Sequence, residues 1–385
     1  MRARCAAGGG RRKIIAVDRA RDVRAFGLAR ARGRSTTTRW RARARTMDAA
    51  ASSADETARD GGLTLVVGGA GRVGRLVCER LRATGRAVRV VTRDAESETA
   101  RALRDAGCEV VGGDVGDEAS MRAALSGCEG GCVIATFGAQ RIGRVTDVVT
   151  NPSLRDAKHP RFVNYLGAAT LARLSSEAGA RKFVRVTGAS VGYPAFDFIA
   201  VLLNVVLSMT IRWQLAGEMA VRAACEKSSM KYVVVRPGNL ADFERCDEDE
   251  SGNRRVVLGS GGSRVEAGKI SRSDVADVIV EALERQECEN VTLTVAGLTN
   301  PSGGVRTELS WDPAKGMHWR TVETDATVRE GRSYREDSMW TAVTPDSDAL
   351  KEKAHRRYVA MFLALLAGIF VLLARGVFLL VRSFM

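Results

Sequence analysis

The sequence predicts an α/β protein: a doubly wound parallel sheet in one large domain, followed by a C-terminal transmembrane helix. Three observations carry this. Short β-branched runs alternate with helical patterns from residue 62 onward, three glycines punctuate the first run-to-helix junction, and a long uncharged apolar stretch lies near the C-terminus.

In order, the first run is LTLVV (63–67), followed by an amphipathic pattern to residue 81. AVRVV (87–91) precedes a helix over 96–106, and CEVVG leads to an acidic helix start at Asp117. GCVIAT comes next, then a helical stretch over 162–178, the run KFVRVT (182–187), a helix around 218–227, and KYVVVRP (231–237). Strands separated by helices of this length are repeated βαβ units. Runs as continuously apolar as KFVRV and KYVVV belong to strands covered on both faces. Later come RRVVL (254–258), a helix over 273–284 with Ser273 as its cap, and VTLTV (291–295). The domain organisation expected is a leader at 1–47, a linker at 48–61, the sheet domain at 62–297, a polar and partly ordered linker at 298–357, and an anchor at 358–381. Trp311, Trp319 and Trp340 mark places where the polar linker can pack.

The net charge of +14 is concentrated in the leader. Residues 1–47 hold fourteen Arg and one Lys against Asp18 and Asp22, a charge of +13, which leaves about +1 for everything beyond Met47. A nucleic-acid groove needs clustered cations on the folded surface, so no nucleic-acid partner is expected. The leader is Arg-rich and acid-poor and has no apolar core of the secretory kind, which fits an organellar transit peptide. Its composition does not separate plastid from mitochondrion, and a basic tail ahead of a start at Met47 is the alternative. Eight cysteines and three histidines lack metal-ligand spacing, so no metal site is expected, and the thiols read as core residues in a reducing compartment.

Near the C-terminus, residues 358–374 carry no charge, and extending to Val381 gives twenty-four residues with only Arg375 inside. That length suits a single bilayer span. Arg375 lies close enough to the end to snorkel, and KEKAHRR (351–357) supplies flanking cations. A second apolar run, FIAVLLNVVLSMTI (198–211), is too short to span and contains Asn204. It reads as a core or pocket-lining helix, with an interfacial role as the alternative.

The glycines are Gly68, Gly71 and Gly74. Gly68 permits a sharp turn at the strand end, Gly71 removes a side chain from the path of a pyrophosphate, and Gly74 allows close packing of helix on strand. Arg72 and Val73 lie within the same turn, where the first N–H groups of the helix face an anion. At the end of the second run, where an acid would accept from the ribose hydroxyls of NAD, the chain has Arg93. A guanidinium there suits a 2′-phosphate, and Arg72 is placed to reach the same group. Asp94, one residue on, keeps NAD(H) in play, but these side chains favour NADP(H).

The glycine spacing, Arg93, Gly113-Asp114-Val115 and Ala135-Thr136 resemble the atypical short-chain dehydrogenase/reductase group with an NAD(P)H-binding Rossmann domain. The likeness runs on through VNYLGAATLARLSSEAGARKFVRVTGAS (163–190), GEMAVRAACEKSSMKYVVVRPGNL (217–240) and GKISRSDVADVIVEALE (268–284). It covers about residues 62–297 and is nearest to NmrA-like plastid members of plants and algae. The resemblance implies that Asp114 and Val115 bracket the adenine, that Ala135 and Thr136 line the nicotinamide side, and that Arg236 and Pro237 lie near nicotinamide and substrate.

The broader superfamily protonates carbonyls with a Tyr whose phenolate is stabilised by a Lys four residues on. Here Ser190 stands in the expected place and Tyr193 is the nearby phenol, but Asp197 occupies the lysine position. An aromatic-Lys-x-Lys-small-Glu pattern found in the related group is replaced by Trp213-Gln214-Leu215-Ala216-Gly217-Glu218. Two functions stay open: a membrane-anchored NADP(H)-dependent reductase of an apolar small molecule, with Ser190 and Tyr193 as catalytic candidates, and a non-catalytic NADP(H)-responsive factor for assembly or regulation of membrane protein complexes. The expected location is a chloroplast membrane with the domain in the stroma, or a mitochondrial membrane. A purely structural tethered domain is disfavoured by the intact glycines and Arg93.

Overall fold

The computed structural model describes residues 62–139, 157–193, 197–241, 255–260, 269–297, 305–312, 316–323, 332–333 and 337–384. The leader and first linker expected from the sequence lie outside the described residues.

The strands β1 (Thr64–Val67), β2 (Val88–Thr92), β3 (Glu109–Gly112), β4 (Cys132–Ala135), β5 (Lys182–Val186) and β6 (Lys231–Pro237) form the sheet's parallel body. After β7 (Asn239–Ala241), β8 (Arg255–Gly259) and β9 (Lys269–Ser271) comes β10 (Val291–Gly297), which joins β6 in parallel. β8 pairs antiparallel with β10, and the two-residue β13 (Arg332–Ser333) closes that edge, also antiparallel. The order is β13-β8-β10-β6-β5-β4-β1-β2-β3. The sheet is therefore doubly wound, with an antiparallel margin on one side. β7 pairs with β9, and β11 (Val305–Asp312) with β12 (Gly316–Glu323), in separate two-stranded sheets.

Alternation along the strands explains their continuous apolarity. In β1, Leu65 and Val67 join one core cluster and Val66 the other. Helices α1 (Arg72–Ala83) and α7 (Arg272–Glu284) cover the Val66 face. Helices α3 (Glu118–Ala124), α4 (Ala168–Glu177) and α6 (Thr210–Glu226) cover the other, and α2 (Glu98–Asp105) sends Leu103 into the α1–α7 side. The layers are α/β/α. Six cysteines, at 78, 108, 128, 132, 225 and 288, are buried free thiols.

Two local expectations change. The cap of α7 is Ser271, whose hydroxyl accepts from the Asp274 N–H at 3.0 Å, not Ser273. Ser273 Oγ instead accepts from Arg80 Nη2 of α1 at 2.6 Å, beside an Arg80–Asp277 ion pair, so its hydroxyl serves the α1–α7 contact. The apolar run at 198–211 is also not one helix. It breaks into α5 (Phe198–Val206) and the start of α6, bent by 96°. Ser208 and Met209 hold φ of 53° and 59° at the break.

The polar stretch after β10 contributes to the fold beyond what its composition suggests. Trp340, at the end of α8 (Asp337–Trp340), is fully buried in the α1–α7 core together with Met339. Asp346 caps the start of β10's pairing: its Oδ1 accepts from the Thr292 N–H at 2.8 Å and its Oδ2 from the Thr292 hydroxyl at 2.6 Å. Two residues later α9 (Asp348–Phe384) begins, and its span from Leu363 to Arg382 is long and apolar enough to cross a membrane.

Candidate functional site

The site is built at the switch point, where the chain leaves β1 for β2 on one side and β4 lies on the other. Gly68 ends β1 with φ +83°, a conformation that a side chain disfavours. A Cβ on Gly74 would lie 2.4 Å from the Gly68 carbonyl oxygen and 2.7 Å from Gly69 Cα, so the helix approaches the turn as closely as backbone permits. A Cβ on Gly71 would meet only the Gly68 carbonyl, at 3.1 Å, because that side of the turn is open. Gly71 is the N-cap of α1 and brings no capping side chain. By contrast α2, α3, α5 and α7 are each capped, by Ser97, Asp117, Asp197 and Ser271. The first N–H groups of α1 thus keep their anion-binding capacity. Arg72 is exposed beside them, and Val73 is half-buried against the core. These residues fit a dinucleotide pyrophosphate.

At the end of β2, Arg93 is exposed, and among the described residues no ion pair or hydrogen bond engages its guanidinium. Asp94 is tied into the turn that follows. Its carboxylate accepts from the Glu96 N–H at 3.0 Å and its carbonyl from the Ser97 hydroxyl at 2.9 Å. After β3, Asp114 holds a tight turn by accepting from the Gly116 N–H at 2.8 Å. Val115 packs across to Gly167, where a Cβ would come within 2.8 Å of it. After β4, the Thr136 hydroxyl donates to the Gly68 carbonyl at 3.1 Å and its N–H to the Val67 carbonyl at 3.0 Å, which pins the glycine turn to the neighbouring strand. Ala135 is fully buried with its methyl in the core, so what it presents to a ligand is backbone.

Ser190 lies in a 3₁₀ turn, Ala189–Gly192, directly after β5. Tyr193 follows, its N–H donating to the Ser190 carbonyl at 3.2 Å, and its side chain packs against the apolar cluster formed by Val191, Ala200, Ile211 and Leu215. Asp197 caps α5 by accepting from the Ile199 and Ala200 N–H groups at 2.9 and 3.3 Å. The carboxylate at the lysine position is thus a helix cap.

Beneath this turn is a buried ion network centred on Glu218, which is fully buried. Arg236 donates to both its oxygens, through Nε at 3.1 Å and Nη2 at 2.6 Å. The Thr187 hydroxyl adds a bond of 2.7 Å and Arg222 one of 3.2 Å. Burial pushes the Glu218 carboxyl up, but the two guanidinium groups, with Thr187, bring it down to about 2. Arg236 also abuts the Ser190–Tyr193 turn, since a Cβ on Gly192 would lie 3.2 Å from Arg236 Nη1. Pro237 is buried next to it at the end of β6. Arg222 continues the network to Asp346 at 3.2 Å and to the Thr292 hydroxyl at 2.6 Å. A further cation, Arg185, is buried under the β4 end, donating to the Phe137 carbonyl at 2.8 Å with its guanidinium 4.4 Å from the Phe137 ring. Burial lowers its pKa to about 10.

Residues 68–286 match the NAD(P)H-binding family model. The chain belongs to the NAD(P)H-binding family. Among its relatives are two uncharacterized chloroplastic proteins of Arabidopsis thaliana. One is 30% identical over 58% of this chain and 72% of its own length. The other is 25% identical over 62% and 70%. Solved structures similar to it include a putative NAD-dependent epimerase/dehydratase from Bacillus halodurans, 20% identical, covering 62% of this chain and 95% of that one with a TM-score of 0.48. An anaerobillin reductase from Escherichia coli is also 20% identical, covering 62% and 98%, with a TM-score of 0.44.

Within this NAD(P)H-binding domain, two site elements escape the sequence reading. Asn164 is fully buried on the π-helical turn Arg161–Gly167, where it accepts from the Ala139 N–H at 2.8 Å and donates to the Thr210 hydroxyl at 3.1 Å. It clamps the loop after β4 to the start of α6. The signal was a lone amide inside an apolar run. Glu218 is the other: it stood in the quoted pattern, and Arg222 one helical turn on is a local partner, but Arg236 and Thr187 are brought to it only by the fold.

Proposed function

We propose that this chain is a membrane-tethered NADP(H)-binding protein of the plastid that reduces an apolar small molecule. The observation that carries it is the pairing of the α1 N-terminus, which has no side-chain cap, with the exposed Arg93, unengaged among the described residues, while Asp94 is held in its own turn. The α1 N–H groups would hold the pyrophosphate and Arg93 the 2′-phosphate, with Arg72 beside it. The cofactor, when bound, supplies hydride. In this reading Ser190 and Tyr193 would orient the acceptor and deliver a proton, and the apolar setting of Tyr193 favours an apolar acceptor. Plastid residence is supported by the chloroplastic relatives, and the leader's composition fits import into an organelle.

A second reading, a nucleotide-responsive factor for membrane complexes, is favoured by one observation: Asp197 caps a helix where the superfamily's relay has a lysine. Consumption of NADPH by the full chain with hydrophobic carbonyl compounds, reduced by Ser190→Ala, supports the reductase. Tight NADPH binding with no turnover across such a panel supports the factor.

Arg93→Asp is expected to weaken NADPH binding on the order of 10–100-fold, the worth of one charge-assisted contact, with far less effect on NADH. Titration by nicotinamide fluorescence reads this, and equal losses for both nucleotides would reject the role. The full chain should resist carbonate extraction from membranes, and a chain lacking 358–385 should appear in the supernatant. Retention of the truncated chain in the pellet would refute a single C-terminal tether.

A further inference from the structure

Among the residues whose burial is described, large hydrophobic side chains remain exposed on two elements. One is α9, and the other is α5, with Phe198 at 74%, Ile199 at 46%, and Leu202 and Val206 at 44% exposure. On α5 the buried positions are Ala200 and Asn204, four apart and on one side, so the other side presents a continuous apolar face. Soluble surfaces seldom carry such a patch without a partner for it.

Nine residues rise only about 14 Å as a helix, less than half a hydrocarbon core, so α5 cannot cross a bilayer. Its single polar residue is turned away from the exposed face. Asn204 Oδ1 accepts from the Ile211 and Arg212 N–H groups at 3.1 and 3.2 Å, which caps α6 across the 96° bend. The Met209 N–H donates to the Asn204 carbonyl at 2.7 Å and closes the corner.

The same corner receives the membrane-spanning candidate. Leu365, near the start of the apolar part of α9, packs against the Met209 and Trp213 cluster, as do Tyr165 and Ala216. Trp213 stacks on Tyr165 at 6.0 Å, with the Arg212 guanidinium 4.6 Å from the indole and that of Arg161 5.9 Å from it. Aromatic rings with arginines beside them are what a protein places at headgroup depth. The apolar face, the aromatic and basic corner, and the entry of α9 thus meet at one junction.

We infer that α5 lies in the membrane interface, its Phe198–Ile199–Leu202–Val206 face immersed in lipid, as a second contact that holds the domain against the bilayer. This rests on the tether reading of α9 and extends it. Behind that face, Ala200 and Leu203 pack with the Tyr193 cluster, so the candidate site stands directly on the lipid side of the domain.

Nitroxide labels test the placement in the full chain, reconstituted into phosphatidylcholine and phosphatidylglycerol vesicles. The six cysteines that the structure describes are buried, so Cys5→Ser and Cys246→Ser provide the background. Leu202→Cys, Val371→Cys and Arg101→Cys then report α5, α9 and the exposed surface of α2. The expected result is that labels at 202 and 371 collide with oxygen and lose collisions with a water-soluble nickel chelate, while the label at 101 keeps them. A label at 202 as open to the chelate as that at 101, with 371 in lipid, overturns the inference and leaves the tether standing. A label at 202 shielded from both oxygen and chelate overturns it in favour of a protein partner or a second copy. Chelate access at 371 would remove the tether reading and this inference with it.

Discussion

Glu218→Gln is expected to lower the unfolding free energy by about 3–5 kcal/mol, the cost of removing one partner from a buried ion pair. Urea denaturation at neutral pH measures it. The amide keeps the shape and two hydrogen bonds' worth of contact, but Arg236 and Arg222 then lose the carboxylate that faces both of them. The pH dependence has a definite sign. The folded carboxyl sits at about 2, below its unfolded value of about 4.3. Its stabilisation is therefore complete above pH ~4.3 and disappears as pH falls toward 2, a window worth roughly 3 kcal/mol. The gap between wild type and variant should hold from pH 8 to 5 and close below that. A gap that closed between pH 8 and 6 would show that some other group titrates and that the network is not centred on Glu218. Because Arg222 reaches Asp346 just ahead of α9, the same variant should loosen the 337–347 segment, seen as faster amide exchange there.

Gly74→Ala and Gly71→Ala are expected to separate folding from binding. At position 74 the new methyl meets the Gly68 carbonyl, Gly69 Cα and the Thr136 hydroxyl within 2.9 Å, and two of those are backbone. The turn must move, at a cost of about 1–3 kcal/mol, and the anion cradle moves with it. At position 71 the methyl meets one atom at 3.1 Å and projects into the open side of the turn, so stability should change little. Both variants should lose NADPH on the order of 100-fold, near 3 kcal/mol. Retained affinity in Gly71→Ala, with the fold intact by circular dichroism, would show that the nucleotide does not pass over that position.

Much of the sheet was legible because its information is local. Strands β1 to β6 fall within a residue or two of the apolar runs, with one helix or, between β5 and β6, two helices before the next strand. The glycine turn was legible for the same reason: strand end, turn and helix start lie within twelve residues. The run at 198–211 misled by its even apolarity, since period alone cannot report a break. The break is set by Asn204 bonding to N–H groups seven and eight residues on. In the polar stretch after β10 Trp340 was visible as a residue able to pack, but Asp346 and the docking places of both were hidden, because partners such as Arg285, Arg222 and Thr292 lie tens of residues away.

What the amino-acid order determined alone was the fold class, the glycine turn between strand and helix with the arginine at the next strand's end, and the apolar length of the last helix, because each follows from backbone freedom or side-chain period over neighbouring residues. Tertiary structure alone decided that Glu218 gathers Arg236 and Thr187 under the Ser190 turn. It also decided that the bend after Val206 leaves one apolar face outward beside α9. Those outcomes depend on which distant groups must share a proton donor or a charge once water is excluded, and that is settled only when the chain has packed.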